Sequence, residues 1–135
     1  MTSGIVLDAS TTLAWAFDDE SGKYVEDVLQ FVVENHAVVP ALWNYEIANG
    51  VLVGLRRDRL SIDEAVTFAS DLAAMDIRVD SGPFEPMSLL AEAVDSGLTA
   101  YDAPYLILAR TTGLPLATRD KALIRAARNS GVDVF

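Results

Sequence analysis

The sequence predicts an α/β protein: a three-layer α/β/α fold around a short, mostly parallel central sheet, formed as one domain over residues 1–135. Three observations carry the prediction. Short apolar, β-branched runs alternate with longer amphipathic stretches, the pattern of parallel strands joined by helical crossovers. No repeat, low-complexity tract or linker interrupts the chain, and 135 residues is the length of a single domain. Hydrophobic residues make up 51% and charged residues 22%, enough apolar material for one substantial core and too much for disorder.

The elements follow in order. Ile5-Val6-Leu7, closed by Asp8, reads as a buried strand. Ser10 or Thr11 can cap a short helix carrying Leu13, Trp15 and Phe17, and the polar turn at residues 18–22 ends it. Val25, Val28, Leu29, Val32 and Val33 fall at i, i+3, i+4, i+7 and i+8, one stripe of an amphipathic helix. Ala37-Val38-Val39 is a second strand, and His36 before it is assigned to a helix cap. Residues 42–57 are expected to be helical despite Gly50 and Gly54. Ser61 and Glu64 form a capping-box pattern that opens a helix on Ala65, Val66, Ala69, Leu72 and Ala73. Ile77-Arg78-Val79 is a third strand, followed by a helix from about Pro83 to Asp95 that Gly97 closes. Thr99 or Tyr101 begins a helix through Ala103, Leu106 and Ile107 that stops at Gly113. Pro115 to Thr118 forms a fourth strand, and a last helix runs from Asp120 to Asn129.

Composition narrows the chemistry. There is no cysteine, which excludes disulfides, zinc fingers and thiol catalysis. No apolar run approaches the ~20 residues that span a bilayer, and the N-terminus lacks a basic region with a cleavage site. The expected setting is therefore the cytoplasm. No glycine-rich loop opens a helix, so phosphate-loop and dinucleotide motifs are missing. His36 is the single histidine, and it has no partner pattern for a nucleophilic triad.

In a parallel sheet the functional crevice lies beyond the carboxyl ends of the strands. Asp8 directly follows the first strand, and Asp120 stands two residues after Thr118 ends the fourth. Each can instead cap the helix that follows it, and sequence leaves both readings open. Glu46 lies on a helix with apolar residues on nearly every face, sharing a stripe with Leu42, Asn49 and Val53. A carboxylate in such surroundings must be neutralised, paired or bound to a metal. Asp102 sits in the first turn of its helix, where the helix dipole favours a negative charge. Clustered carboxylates repel one another, and all-oxygen donors select hard cations, Mg²⁺ with Mn²⁺ as a substitute. A water near such an ion can be activated to attack a phosphate.

These four acids, in this order and spacing, resemble those of the PIN-domain ribonucleases, specifically the VapC-type toxins of toxin–antitoxin pairs. The resemblance rests on Val6-Leu7-Asp8-Ala9-Ser10, on Pro40 with Glu46 and Asn49, on residues 101–106 with Ala109, and on residues 116–120 with Leu123. It implies a Mg²⁺-dependent endoribonuclease, the toxin of a type II pair, neutralised by a cognate antitoxin. It also implies that Asp8 and Asp102 contact the metal directly, while Glu46 and Asp120 complete the site directly or through water. Ser10 and Thr118 would place hydroxyls beside the acids, orienting ligands or capping local backbone. A receiver domain fits less well, because it needs paired acids in the first loop and a late lysine. A haloacid-dehalogenase type needs Asp-x-Asp after the first strand, where position 10 is Ser. An inactive binding module is the remaining alternative. Surplus apolar surface on the 42–57 helix and its successor predicts a homodimer, and the resemblance implies that it also contacts the antitoxin.

The formal charge of −10, taken whole, argues against a nucleic-acid partner. Its distribution reverses that inference. Residues 1–109 carry five basic and eighteen acidic side chains, whereas residues 110–128 carry five basic and one acidic. Lys121, Arg125 and Arg128 fall at i, i+4 and i+7 on the last helix, with Arg119 just before it. They are candidate contacts to RNA phosphates, or a solvated face that complements the helix dipole.

Overall fold

A computed structural model describes residues 3–135. The apolar runs become four strands: β1 (Gly4–Leu7), β2 (His36–Pro40), β3 (Ile77–Asp80) and β4 (Leu116–Ala117). They form one sheet in the order β3-β2-β1-β4, and every pairing is parallel, so the expected mostly parallel sheet is wholly so. Around it stand α1 (Ala9–Leu13), α2 (Lys23–Glu34), α3 (Leu42–Arg56), α4 (Ile62–Ala74), α5 (Pro86–Ser96), α6 (Ala103–Thr112) and α7 (Lys121–Asn129). Among the described residues, no helix is long and apolar enough to cross a membrane.

The strand order decides where the site lies. The chain steps from β1 to β2 to β3 in one direction, then returns to lay β4 on the other side of β1. The order therefore reverses between β1 and β4, and the carboxyl ends of strands at such a reversal are the usual binding position in open α/β sheets. Asp8 follows β1 and Thr118 follows β4. The backbone locks the two ends together, with Asp8 N–H donating to the Ala117 carbonyl at 3.1 Å. Every residue of β1 is buried, as its unbroken apolar run requires of a strand covered on both faces. Helix α6 crosses beneath it with six buried residues, Ala103 to Leu106, Leu108 and Ala109.

Local signals were obeyed where they are strongest. The Ser61–Glu64 capping box forms with both reciprocal bonds. Gly97 and Gly113 take left-handed conformations that end α5 and α6. Helix α3 tolerates its glycines because neighbours need the space: a Cβ at Gly50 would run into Leu13, and one at Gly54 would meet Phe17 at 2.9 Å. Each interior glycine costs about 0.5–1 kcal/mol of helix stability relative to alanine, so close packing of the segment after α1 is what keeps them.

Several expectations are corrected. Helix α1 begins at Ala9 with Asp8 in the N-cap position, so neither Ser10 nor Thr11 caps it. His36 is the first residue of β2, and Asn35 holds the C-cap of α2, its side chain donating to the Phe31 carbonyl. Helix α5 starts at Pro86 rather than near Pro83, because Glu85 and Ser88 supply its capping box and Pro86 is pre-shaped for the first turn. Helix α6 starts at Ala103, later than Thr99 or Tyr101, since residues 99–102 form the turn before it. Val33 and Val66, assigned to apolar stripes, are exposed on the outer faces of α2 and α4.

Candidate functional site

The acids assemble from four separate elements. Asp8 occupies the N-cap of α1, yet its carboxylate accepts no backbone N–H of that helix. Its Oδ2 instead accepts from Ser10 Oγ at 2.7 Å and from Thr118 Oγ1 at 2.8 Å. Asp8 is buried at 6% exposure, and a buried carboxylate without donors is costly. The two hydroxyls meet that need on one oxygen, and among the described residues no hydrogen bond falls on Oδ1. Thr118 Oγ1 also accepts from the Asp120 backbone N–H at 3.0 Å, so one hydroxyl joins the first acid to the fourth. Tyr24 supports the same corner, its hydroxyl donating to the Thr118 carbonyl at 3.3 Å.

Asp120 does cap its helix: Oδ1 accepts from Leu123 N–H at 2.9 Å. The capping reading therefore holds for Asp120 and fails for Asp8. Asp102 stands at the N-cap of α6 without a side-chain cap bond, and Thr99 accepts from its backbone N–H at 3.1 Å instead. Glu46, in the second turn of α3, is half-buried, and its Oε1 accepts from the Tyr105 hydroxyl at 2.7 Å.

Glu46 and Asp102 each feel neighbouring acids. Burial raises the Glu46 carboxyl above its ordinary value, the Tyr105 hydrogen bond opposes that shift, and the charges of Asp8 and Asp102 add to it. Burial also raises Asp102, and Asp120 and Asp8 push it further. Among the described residues no basic side chain forms an ion pair with any of the four. Like charges gathered without a counter-charge fit a hard divalent cation. No three acids stand close enough among the described residues to cage an ion alone. A hard divalent cation held by only one or two of these carboxylates would complete its shell with waters.

The basic residues run along α7 from its cap at Asp120. Lys121, Arg125 and Arg128 are exposed on α7, where with Ile124 and Asn129 they border a shallow depression of about 420 Å³. Arg119 is exposed between Thr118 and Asp120. Sequence reasoning missed the role of the Tyr105 hydroxyl as the partner of Glu46. Spacing of i, i+3 after Asp102 was the available signal, but nothing local says that a tyrosine on one helix meets a glutamate 59 positions earlier.

Comparison with known proteins identifies the fold and the family. The PIN domain family model matches residues 5–129. Ribonuclease VapC3 of Pyrobaculum aerophilum is 31% identical over 121 residues, covering 88% of this chain and 91% of that protein. The crystal structure of PAE2754 from Pyrobaculum aerophilum superposes with a TM-score of 0.70 at 25% identity, covering 92% of this chain and 79% of that one. The crystal structure of FitAcB from Neisseria gonorrhoeae shares the fold, with a TM-score of 0.65 at 19% identity over 97% of this chain and 96% of that one. A parallel sheet that reverses order beside its first acid, four acids brought to that point, and a family match spanning nearly the whole chain lead to one assignment: the chain belongs to the PIN-domain family, among its VapC-type ribonucleases.

Proposed function

We propose that this chain is a Mg²⁺-dependent endoribonuclease, with Mn²⁺ able to substitute, and that it acts in the cytoplasm as a toxin held in check by a cognate antitoxin. The observation that carries the reading is the gathering of acids near the end of β1: Asp8 and Asp102 raise Glu46, Asp120 and Asp8 raise Asp102, and among the described residues no basic side chain pairs with any of them. Asp8 and Asp102 would hold the cation, with Glu46 and Asp120 completing the set directly or through water. Such an ion supplies the positive charge that offsets acids and phosphate together and makes water a better nucleophile.

The side chains of the protein do the rest. Ser10 and Thr118 fix Asp8 through Oδ2 and leave Oδ1 for the cation. Glu46, tied through Oε1 and raised in proton affinity, is suited to position the attacking water and take its proton at Oε2. The products would be a 5′-phosphate and a 3′-hydroxyl. Lys121, Arg125 and Arg128, with Arg119, would follow the RNA backbone. Replacing Arg125 and Arg128 with Glu should weaken RNA binding and lower its salt slope by about one for each phosphate no longer neutralised.

The homodimer and the antitoxin contact rest on the apolar surplus of α3 and α4. With β3 these helices border an open groove of about 670 Å³, lined by residues such as Trp43, Ile47, Val51, Leu55, Phe68 and Ile77. Light scattering at micromolar concentration should give a dimer. The decisive test is cleavage of RNA in Mg²⁺ by Asp8→Asn and Asp102→Asn. Each should lose more than about 100-fold, since even outer partners of metal ligands are worth 10–100-fold. Unchanged cleavage in either variant removes the nuclease assignment.

A further inference from the structure

Tyr105 is the largest fully buried side chain in the protein, at 0% exposure, and lies one turn after Asp102 on α6. A buried tyrosine usually places its hydroxyl on a backbone carbonyl or a water, its polar end satisfied and its ring serving the core. This hydroxyl is placed differently. It donates to Glu46 Oε1 on α3 at 2.7 Å. One oxygen thus ties the helix that follows Asp102 to the helix that carries Glu46.

Glu46 depends on this contact. Among the described residues Tyr105 is its one hydrogen-bond donor, and no lysine or arginine pairs with it. A glutamate has three side-chain torsions, and its carboxylate repelled by Asp8 and Asp102 would otherwise turn away from them. Asp8 has two hydroxyl donors to hold it in place; Glu46 has one.

We infer that Tyr105 is a positioning residue of the nuclease site: its hydroxyl, anchored in the core, holds the Glu46 carboxylate beside Asp8 and Asp102. This rests on the proposed metal-dependent cleavage and adds a residue outside the acid set. The ring supplies the rigidity, since it is packed on all sides, and the single polar atom supplies the direction.

The test is Tyr105→Phe, which removes one oxygen and keeps the ring. Melting should show a folded protein. Mn²⁺ affinity by calorimetry and kcat for RNA cleavage should each fall about 10–100-fold, the range for removing a partner of a metal ligand, with KM for RNA unchanged. Raised Mn²⁺ should recover part of the rate. In a Glu46→Gln background the same substitution should add nothing further. The idea fails if Tyr105→Phe binds Mn²⁺ like the parent protein, if its effect persists undiminished without Glu46, or if it does not fold, which would make Tyr105 a core residue only. Should the parent protein cleave no RNA, the nuclease reading fails by itself, while the Mn²⁺ affinities of the parent and Tyr105→Phe still decide the role of Tyr105.

Discussion

Helix α6 holds one glutamate near each end, and the two are treated in opposite ways. Near its start Tyr105 donates to Glu46 of α3 at 2.7 Å, and near its end Arg110 donates to Glu92 of α5 at 2.6 Å. Glu92 is also bonded by Ser96 at 2.6 Å. The guanidinium of Arg110 holds the Glu92 carboxyl below the usual range, whereas burial raises Glu46, with neighbouring acids adding to the shift. Glu92 is a closed structural pair that fastens α5 to α6. Glu46 has only a neutral donor and sits among like charges, so its electrostatic demand is left for something outside the chain. The lesson is that partner charge, rather than burial, separates a carboxylate paired within the chain from one left without a counter-charge.

Removing each carboxylate in turn should break the comparison in opposite directions. Glu46→Gln should abolish cleavage, by more than about 100-fold, without lowering the melting temperature, because it relieves repulsion. Glu92→Gln should leave cleavage within about twofold of the parent rate and cost roughly 1–2 kcal/mol of stability, the range for a hydrogen bond to a charged group discounted for the half-exposed Arg110. Calorimetric melting beside a cleavage assay distinguishes them. If both variants lose stability alike, the contrast is wrong.

A smaller effect sharpens the same contrast through pH. The lowered value at Glu92 means that its pair contributes stability above the ordinary glutamate value of 4.5, a contribution lost as pH falls through the lowered value. The raised value at Glu46 has the reverse sign. Its charged form costs stability at neutral pH in the metal-free protein, and that cost disappears as pH falls through the raised value toward 4.5. Melting curves from neutral pH downward should therefore show Glu46→Gln losing its advantage over the parent first. The deficit of Glu92→Gln should shrink only below pH 4.5.

Much of the frame was legible in the residues. The capping box at Ser61 and Glu64, the glycines that close α5 and α6, and the apolar run of β1 act over a few residues, and each appears where the pattern predicted it. Sequence singled out the positions of the four acids on their elements, although not the hydrogen-bond partner of each. Asp8 and Asp120 carry the same local signature, an Asp between a strand and a helix. Only Asp120 caps its helix, because Thr118, 110 positions from Asp8, draws the Asp8 carboxylate away. Apolar stripes also overstated burial on α2 and α4, where Val33 and Val66 are 64% and 61% exposed.

The sequence by itself determined the element types, the α/β class and the identity of the acids, because hydrophobic period, caps and turn residues exert their forces within about one helical turn. Tertiary structure alone decided the strand order, the switch point between β1 and β4, and the choice of donor for each carboxylate. Those depend on side chains brought together across 18 to 110 positions. The physical reason is that a carboxylate takes its behaviour from whichever charges and donors surround it, and in a crossover-connected sheet these come from elsewhere in the chain.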